Sequence, residues 1–179
     1  PKVLEKKPSF APDSTFRDCA NCPEMSQSVG RADRPALGLH EVTFTEWDAC
    51  VDDGGCKTRP SDNGWGGGDR PVINVSYTMI VSEYLPWLSR KAKARYRLPT
   101  EAEWNAFAQR AGGSAGQKGN LLPTDETVPV TSLPANNEGV SGLLGNVWEW
   151  VDDCRTVGFV EEKINMKFAP HIGLSSPED

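Results

Sequence analysis

Apolar residues recur along the chain in two rhythms, and each stretch predicts an element. LGLHEV (37–42) alternates with period two, the mark of a short strand. Thr43 and Glu46 then stand at capping-box spacing. Trp47, Cys50 and Val51 follow at helical spacing, which predicts a helix that stops at Asp53-Gly54-Gly55. VINVS (72–76) reads as a second strand, with Ser76 as the N-cap of the next helix. Ile80, Tyr84, Trp87 and Leu88 mark one face of that helix. Pro86 lies inside the pattern and should kink or shorten it, because proline lacks an N–H and its ring crowds the preceding turn. A second capping box, Thr100 with Glu103, opens a helix whose apolar face is Trp104, Phe107, Ala108 and Ala111, with Gly112 as its stop. GNVWEWVDD (145–153) returns to alternation. In a strand, Trp148 and Trp150 share one face, expected to be the core, and Glu149 takes the other.

Between these elements the pattern fades. Residues 1–35 read as an arm or loop, 36–154 as the domain and 155–179 as a tail without strong periodicity. KTRPSDNGWGGGDRP (57–71) is a glycine-rich loop without the GxxxxGK[ST] spacing of a phosphate loop, so its glycines are expected to wrap the chain around Trp65. Residues 113–141 are loop-like. Asn74-Val75-Ser76 fits a glycosylation sequon, but inside a buried strand it would go unused. Asp152 and Asp153 read as a solvated strand end.

Composition narrows the function classes. A length of 179 residues suits one domain. The net charge of −6 and the lack of a basic stripe argue against a nucleic-acid partner. No apolar run approaches a membrane span. There are five cysteines. Cys50 and Cys56 bracket a tight loop and are placed for a local disulfide. Cys19-Ala-Asn-Cys22 is a CxxC with no second CxxC and only His40 and His171 to assist it, so a structural zinc is not expected. The cysteine usage favours a disulfide-permissive, extracytoplasmic compartment, secreted or periplasmic.

RLPTEAEW (97–104), followed by GNVWEW (145–150), resembles the formylglycine-generating-enzyme, or sulfatase-modifying factor, family. GLHEVTFTEWDACV (38–51), RPVINVSYTMIVSEYLPWLS (70–89) and PVTSLPANNEGVSGLLGNVWEW (129–150) resemble further blocks of that family in the same order. The resemblance implies an α+β, C-type-lectin-like fold with few helices, short strands and much irregular structure. It also implies one of two activities. Active members oxidise a substrate cysteine to formylglycine with copper held by two cysteines, whereas other members have lost catalysis and bind or scaffold.

This sequence departs from the active pattern. It shows no RGGSW block, closely spaced cysteine pair or GFR strand after GNVWEW, and no GxFxMG strand near the start. The expectation is a reduced member without catalytic residues or copper, acting as a protein- or ligand-binding module. Two alternatives stand beside it: an oxidase whose cysteine pair lies outside this segment, and a structural subunit of a larger assembly. In the family, the position of Glu149 supplies a calcium ligand and nearby carbonyls complete the shell. The expected metal site is therefore Glu149 with the backbone of Gly145 and Val147, joined by Asn146. The alternative for Glu149 is an ion pair with a basic side chain such as Arg97.

Overall fold

The structure, a computed structural model, describes residues 15–26, 36–110, 126–136, 139–153, 168–170 and 173–174. Its elements in chain order are β1 (Thr15–Phe16), β2 (Met25–Ser26), β3 (Ala36–Gly38), α1 (Phe44–Asp52), α2 (Tyr77–Met79), a π-helical turn (Ile80–Tyr84), α3 (Leu85–Ala92), β4 (Tyr96–Arg97), α4 (Glu101–Arg110), a 3-10 turn (Val130–Ser132), β5 (Trp148–Trp150), β6 (Phe168–Pro170) and β7 (Gly173–Leu174). Five very short strands form an antiparallel sheet in the order β1-β2-β3-β7-β4. Ala36 and Tyr96 both register with Leu174, so β7 joins two segments 60 residues apart. β5 and β6 pair in parallel, Trp148 opposite Phe168. The segment read from the sequence as the arm supplies β1 and β2 to the larger sheet, and the segment read as the tail supplies β7 to that sheet and β6 to the smaller one.

The two capping boxes fold as read. Thr43 Oγ1 accepts from the Glu46 amide at 3.2 Å, and the Glu46 carboxylate accepts from the Thr43 amide at 2.9 Å. At α4, Thr100 Oγ1 accepts from the Glu103 amide and Glu103 from the Thr100 amide. Each box satisfies two amides that the first helical turn leaves without partners.

Ser76 caps the next helix as expected, accepting from the Met79 amide. Pro86 does not end it: the helical path runs from Tyr77 to Ala92. The π-helical turn just before Pro86 absorbs the ring, with the Leu85 amide reaching back five residues to the Ile80 carbonyl. Widening the turn moves backbone away from a ring that would clash with the carbonyl four residues earlier. Ile80, Tyr84, Trp87 and Leu88 still form one buried face.

Two strand assignments need correction. The first strand spans only 36–38, and 39–42 turns away into the loop before α1. VINVS is not a strand: Pro71 makes an isolated bridge to Thr43, and Asn74 is exposed with φ of 60°. The sequon therefore sits in a turn. The Asn74 amide donates to the Ser61 carbonyl and to Asn63 Oδ1, which turns it inward onto the glycine-rich loop.

That loop closes around Trp65, which packs on the core. The Asp62 carboxylate accepts from the Gly64 and Gly66 amides, bonds that hold it below its usual pKa. A carboxylate of the chain itself fills the nest of amides that a phosphate loop would keep open.

The main core joins Met25, Val42, Trp47, Val72, Ile73, Ile80, Tyr84, Leu88 and Leu98. Trp47 stacks on Tyr84 at 5.0 Å between ring centres. A smaller cluster of Leu37, Phe107, Val140 and Leu143 lies beneath α4.

Candidate functional site

The site grows from β5 and the turn before it. Gly145 (φ 130°) and Asn146 (φ 55°) take backbone conformations rare for side chains, which bends the chain sharply into the strand. The Val147 amide donates to the Gly145 carbonyl at 2.6 Å. The Asn146 carboxamide pairs with the backbone of Val128, accepting from its amide at 2.9 Å and donating to its carbonyl. The Asn146 side chain therefore pins this turn to Val128.

The two indoles do not share a buried setting. Trp150 packs on the core, donates to the Val75 carbonyl at 3.3 Å and meets Tyr77 edge-on at 5.8 Å. Trp148 is 65% exposed, which corrects the expectation that it packs in the core. β5 is three residues long, so its first side chain stands beyond the core edge that Trp150 covers. Tyr77, at 37% exposure, is the other large apolar side chain left open among the described residues. Its hydroxyl donates to Asp152 at 2.7 Å.

Glu149 takes the opposite face, as alternation requires. What it meets there is Trp104, whose indole Nε1 donates to Glu149 Oε2 at 2.6 Å. Arg97, the expected basic partner, is committed elsewhere: it grips Glu103 in two parallel bonds of 2.7 Å. That grip holds the Glu103 carboxyl below its usual range, against the opposing effect of partial burial.

Asp152 and Asp153 are also not merely solvated. The Asp152 amide donates to the Pro99 carbonyl at 2.9 Å, and the Asp153 carboxylate accepts from the Glu101 amide at the start of α4. A negative charge there suits the positive end of the helix. α4 and β5 thus form one unit, tied by Trp104–Glu149 at one end and Asp153–Glu101 at the other.

Sequence reasoning missed Glu41. It is fully buried, and a Cβ at Gly142 would fall 2.5 Å from its carboxyl carbon. Only a glycine admits this approach, and Ser141 holds it by donating its amide to the Leu39 carbonyl at 2.7 Å. A glutamate in an alternating segment gives no signal that it will be sealed in by a glycine a hundred residues away.

Among the described residues no group of three or more His, Cys, Asp and Glu is placed to hold a metal. A calcium site built from one carboxylate and backbone carbonyls is a different donor set. Such a set would draw here on Glu149 and the turn before it. Glu149 Oε1 is buried beside a turn of positive-φ residues, and the Asn146 carboxamide oxygen already accepts one bond, from the Val128 amide. The cysteines form two disulfides, Cys19–Cys22 and Cys50–Cys56. Cys154 and His171 lie outside the described residues.

The family model for the sulfatase-modifying factor enzyme 1-like domain matches residues 23–166. The formylglycine-generating enzyme of Bos taurus is 32% identical over 127 residues, covering 57% of this chain and 32% of that protein. The inactive C-alpha-formylglycine-generating enzyme 2 of Mus musculus is 36% identical over 104 residues, covering 45% of this chain and 31% of that protein. The chain thus spans about a third of the length of these relatives. The structure of PvdO from Pseudomonas aeruginosa superposes with a TM-score of 0.68 at 22% identity, over 94% of this chain and 99% of that one. That last likeness is one of fold, and it matches the α+β class expected from the sequence.

Proposed function

Because the chain belongs to the sulfatase-modifying factor enzyme 1-like family, we propose that it serves as a partner- or ligand-binding module of that fold rather than as its oxidase. The observation that carries this reading is the state of the cysteines. Copper oxidation requires two converging thiolates. The four cysteines placed among the described residues stand in this structure as two disulfides, not as thiolates. The contact surface is Trp148 with Tyr77, because large exposed aromatic side chains gain most when a partner removes them from water.

Calcium belongs to the same proposal. The Glu149 carboxylate would hold it, with backbone carbonyls of Gly145, Asn146 and Val147. A bound cation would neutralise a half-buried charge and lock the turn that presents Trp148. The two disulfides support an extracytoplasmic setting. Likeness to the formylglycine-generating enzyme of Bos taurus favours a second reading, an oxidase whose cysteine pair lies outside this segment.

The test is incubation of the chain with a sulfatase-type cysteine peptide, copper and oxygen, read by mass spectrometry. The peptide cysteine is expected to remain unconverted. Formylglycine formation overturns the binding reading. Loss of that conversion in Cys19→Ser or Cys22→Ser would identify the thiols responsible.

A further inference from the structure

The two disulfides sit in different surroundings. Cys50 and Cys56 are both buried, at 0% and 4% exposure, within the main core beside Trp47 and Trp87. In the other pair, Cys22 is buried at 0% exposure, but Cys19 is only half-buried at the rim of the same core. One residue of the CxxC disulfide is therefore partly open to solution, and its partner is sheltered.

The turn that carries this pair is held by more than the S–S bond. The Cys22 amide donates to the Cys19 carbonyl at 3.1 Å. Arg17 donates to the Cys22 carbonyl at 2.6 Å and pairs with Glu24 at 3.4 Å. Asp18 accepts from the buried Tyr96 hydroxyl at 2.5 Å. β1 and β2 close the hairpin beneath. With these bonds in place, opening the disulfide leaves the two sulfurs close together. The loop it closes is short, so the bond adds little entropic stabilisation to the fold.

We propose that Cys19–Cys22 is a thiol–disulfide exchange site that takes thiolates from solution, with Cys19 Sγ as the sulfur attacked. The incoming thiolate forms a bond to Cys19 Sγ as the Cys19–Cys22 bond breaks. The electron pair leaves on Cys22 Sγ, which then takes a proton. A second thiolate attacks the partner sulfur of the mixed disulfide. Two partner thiols become one disulfide, and Cys19–Cys22 becomes a dithiol. The Cys50–Cys56 pair takes no part.

The experiment uses the whole chain in a Cys154→Ser background, so that the fifth thiol cannot shuffle. The protein is equilibrated in glutathione buffers of graded reduction, alkylated and mapped by mass spectrometry. A second arm replaces glutathione with a cysteine-containing peptide. Cys19 and Cys22 are expected to become alkylated under conditions that leave Cys50 and Cys56 oxidised, with near-UV circular dichroism unchanged. With oxidised glutathione, or the disulfide form of the peptide, Cys22→Ser should form a mixed disulfide on Cys19, one thiol leaving, at least tenfold faster than Cys19→Ser forms one on Cys22. An adduct with glutathione alone assigns the site to small thiols, and one with the peptide alone to protein cysteines. Reduction of both disulfides in one step, or equal trapping rates in the two variants, overturns the proposal.

Discussion

The indole of Trp104 donates to Glu149 Oε2 at 2.6 Å across 45 residues of sequence. This bond joins the helix of one family block to the strand of another. It also fixes the rotamer of the carboxylate proposed to meet calcium.

Trp104→Phe keeps the ring but removes the donor. It leaves a half-buried carboxylate oxygen without that bond, which should cost about 1–3 kcal/mol. Glu149→Gln keeps an acceptor oxygen and should cost less. A double-mutant cycle measured by urea unfolding should give a coupling above about 0.5 kcal/mol, the level expected of residues in direct contact. Additivity within that margin would show that the bond contributes nothing net.

Gly55 packs against Trp87, where an added Cβ would lie 2.5 Å from the ring carbon Cγ. Trp87 cannot retreat easily. Its Nε1 donates to Asp53 at 3.1 Å, and Lys91 bonds the same carboxylate while lying over the ring. Gly55→Ala should therefore destabilise by about 1–3 kcal/mol through overpacking. At roughly 2–4 °C per kcal/mol for a domain of this size, calorimetry would resolve the shift. An unchanged melting temperature would mean that the 53–56 loop yields freely.

These residues show what was legible in the sequence. Thr43 with Glu46 and Thr100 with Glu103 were readable because a capping box is complete within four residues. The buried face of Ile80, Tyr84, Trp87 and Leu88 was readable because helical spacing repeats. The π-helical turn before Pro86 was not, because proline forbids one geometry without choosing its replacement. The exposure of Trp148 was hidden too: alternation fixes which face a side chain takes, but not how far the core extends beneath it. Trp104–Glu149 and Glu41–Gly142 lie beyond any local signal. The first could be suspected only from two family blocks, and the second required the fold. The pairing of Ala36 and Tyr96 with Leu174 was equally invisible in a segment without periodicity.

The Arg97–Glu103 pair sets an acid limit. Glu103 has a folded-state pKa below its ordinary value of 4.5, first because Arg97 hydrogen-bonds its carboxylate. A lowered carboxyl contributes stability that is fully present above the unfolded value and lost as pH falls through the folded one. Wild-type stability should therefore fall on acidification below about pH 4.5, near the unfolded glutamate value. Glu103→Gln has no carboxyl to protonate at this site. It should start lower at pH 7 and lose less over the same acid range. Parallel melting curves for the two proteins from pH 7 to pH 3 would show that another carboxylate governs the transition.

Calcium gives the sharpest test of the site around Gly145, Asn146, Val147 and Glu149. A cation bound only by the folded state adds about 2.7 kcal/mol at a hundredfold excess over its dissociation constant. For a domain of this size that is roughly 5 to 11 °C in melting temperature. Glu149→Gln keeps the shape and an acceptor for Trp104 but removes the charge, so it should abolish most of the calcium-dependent gain. In chelator the same substitution should do less harm, since the native carboxylate then lacks its cation. Asn146→Ala separates the metal from the scaffold. Its side chain serves Val128, so the variant should lose stability equally with and without calcium. If the wild type melts at one temperature in both conditions, the calcium reading fails. If calcium stabilises wild type and Glu149→Gln alike, the cation binds at another place in the chain.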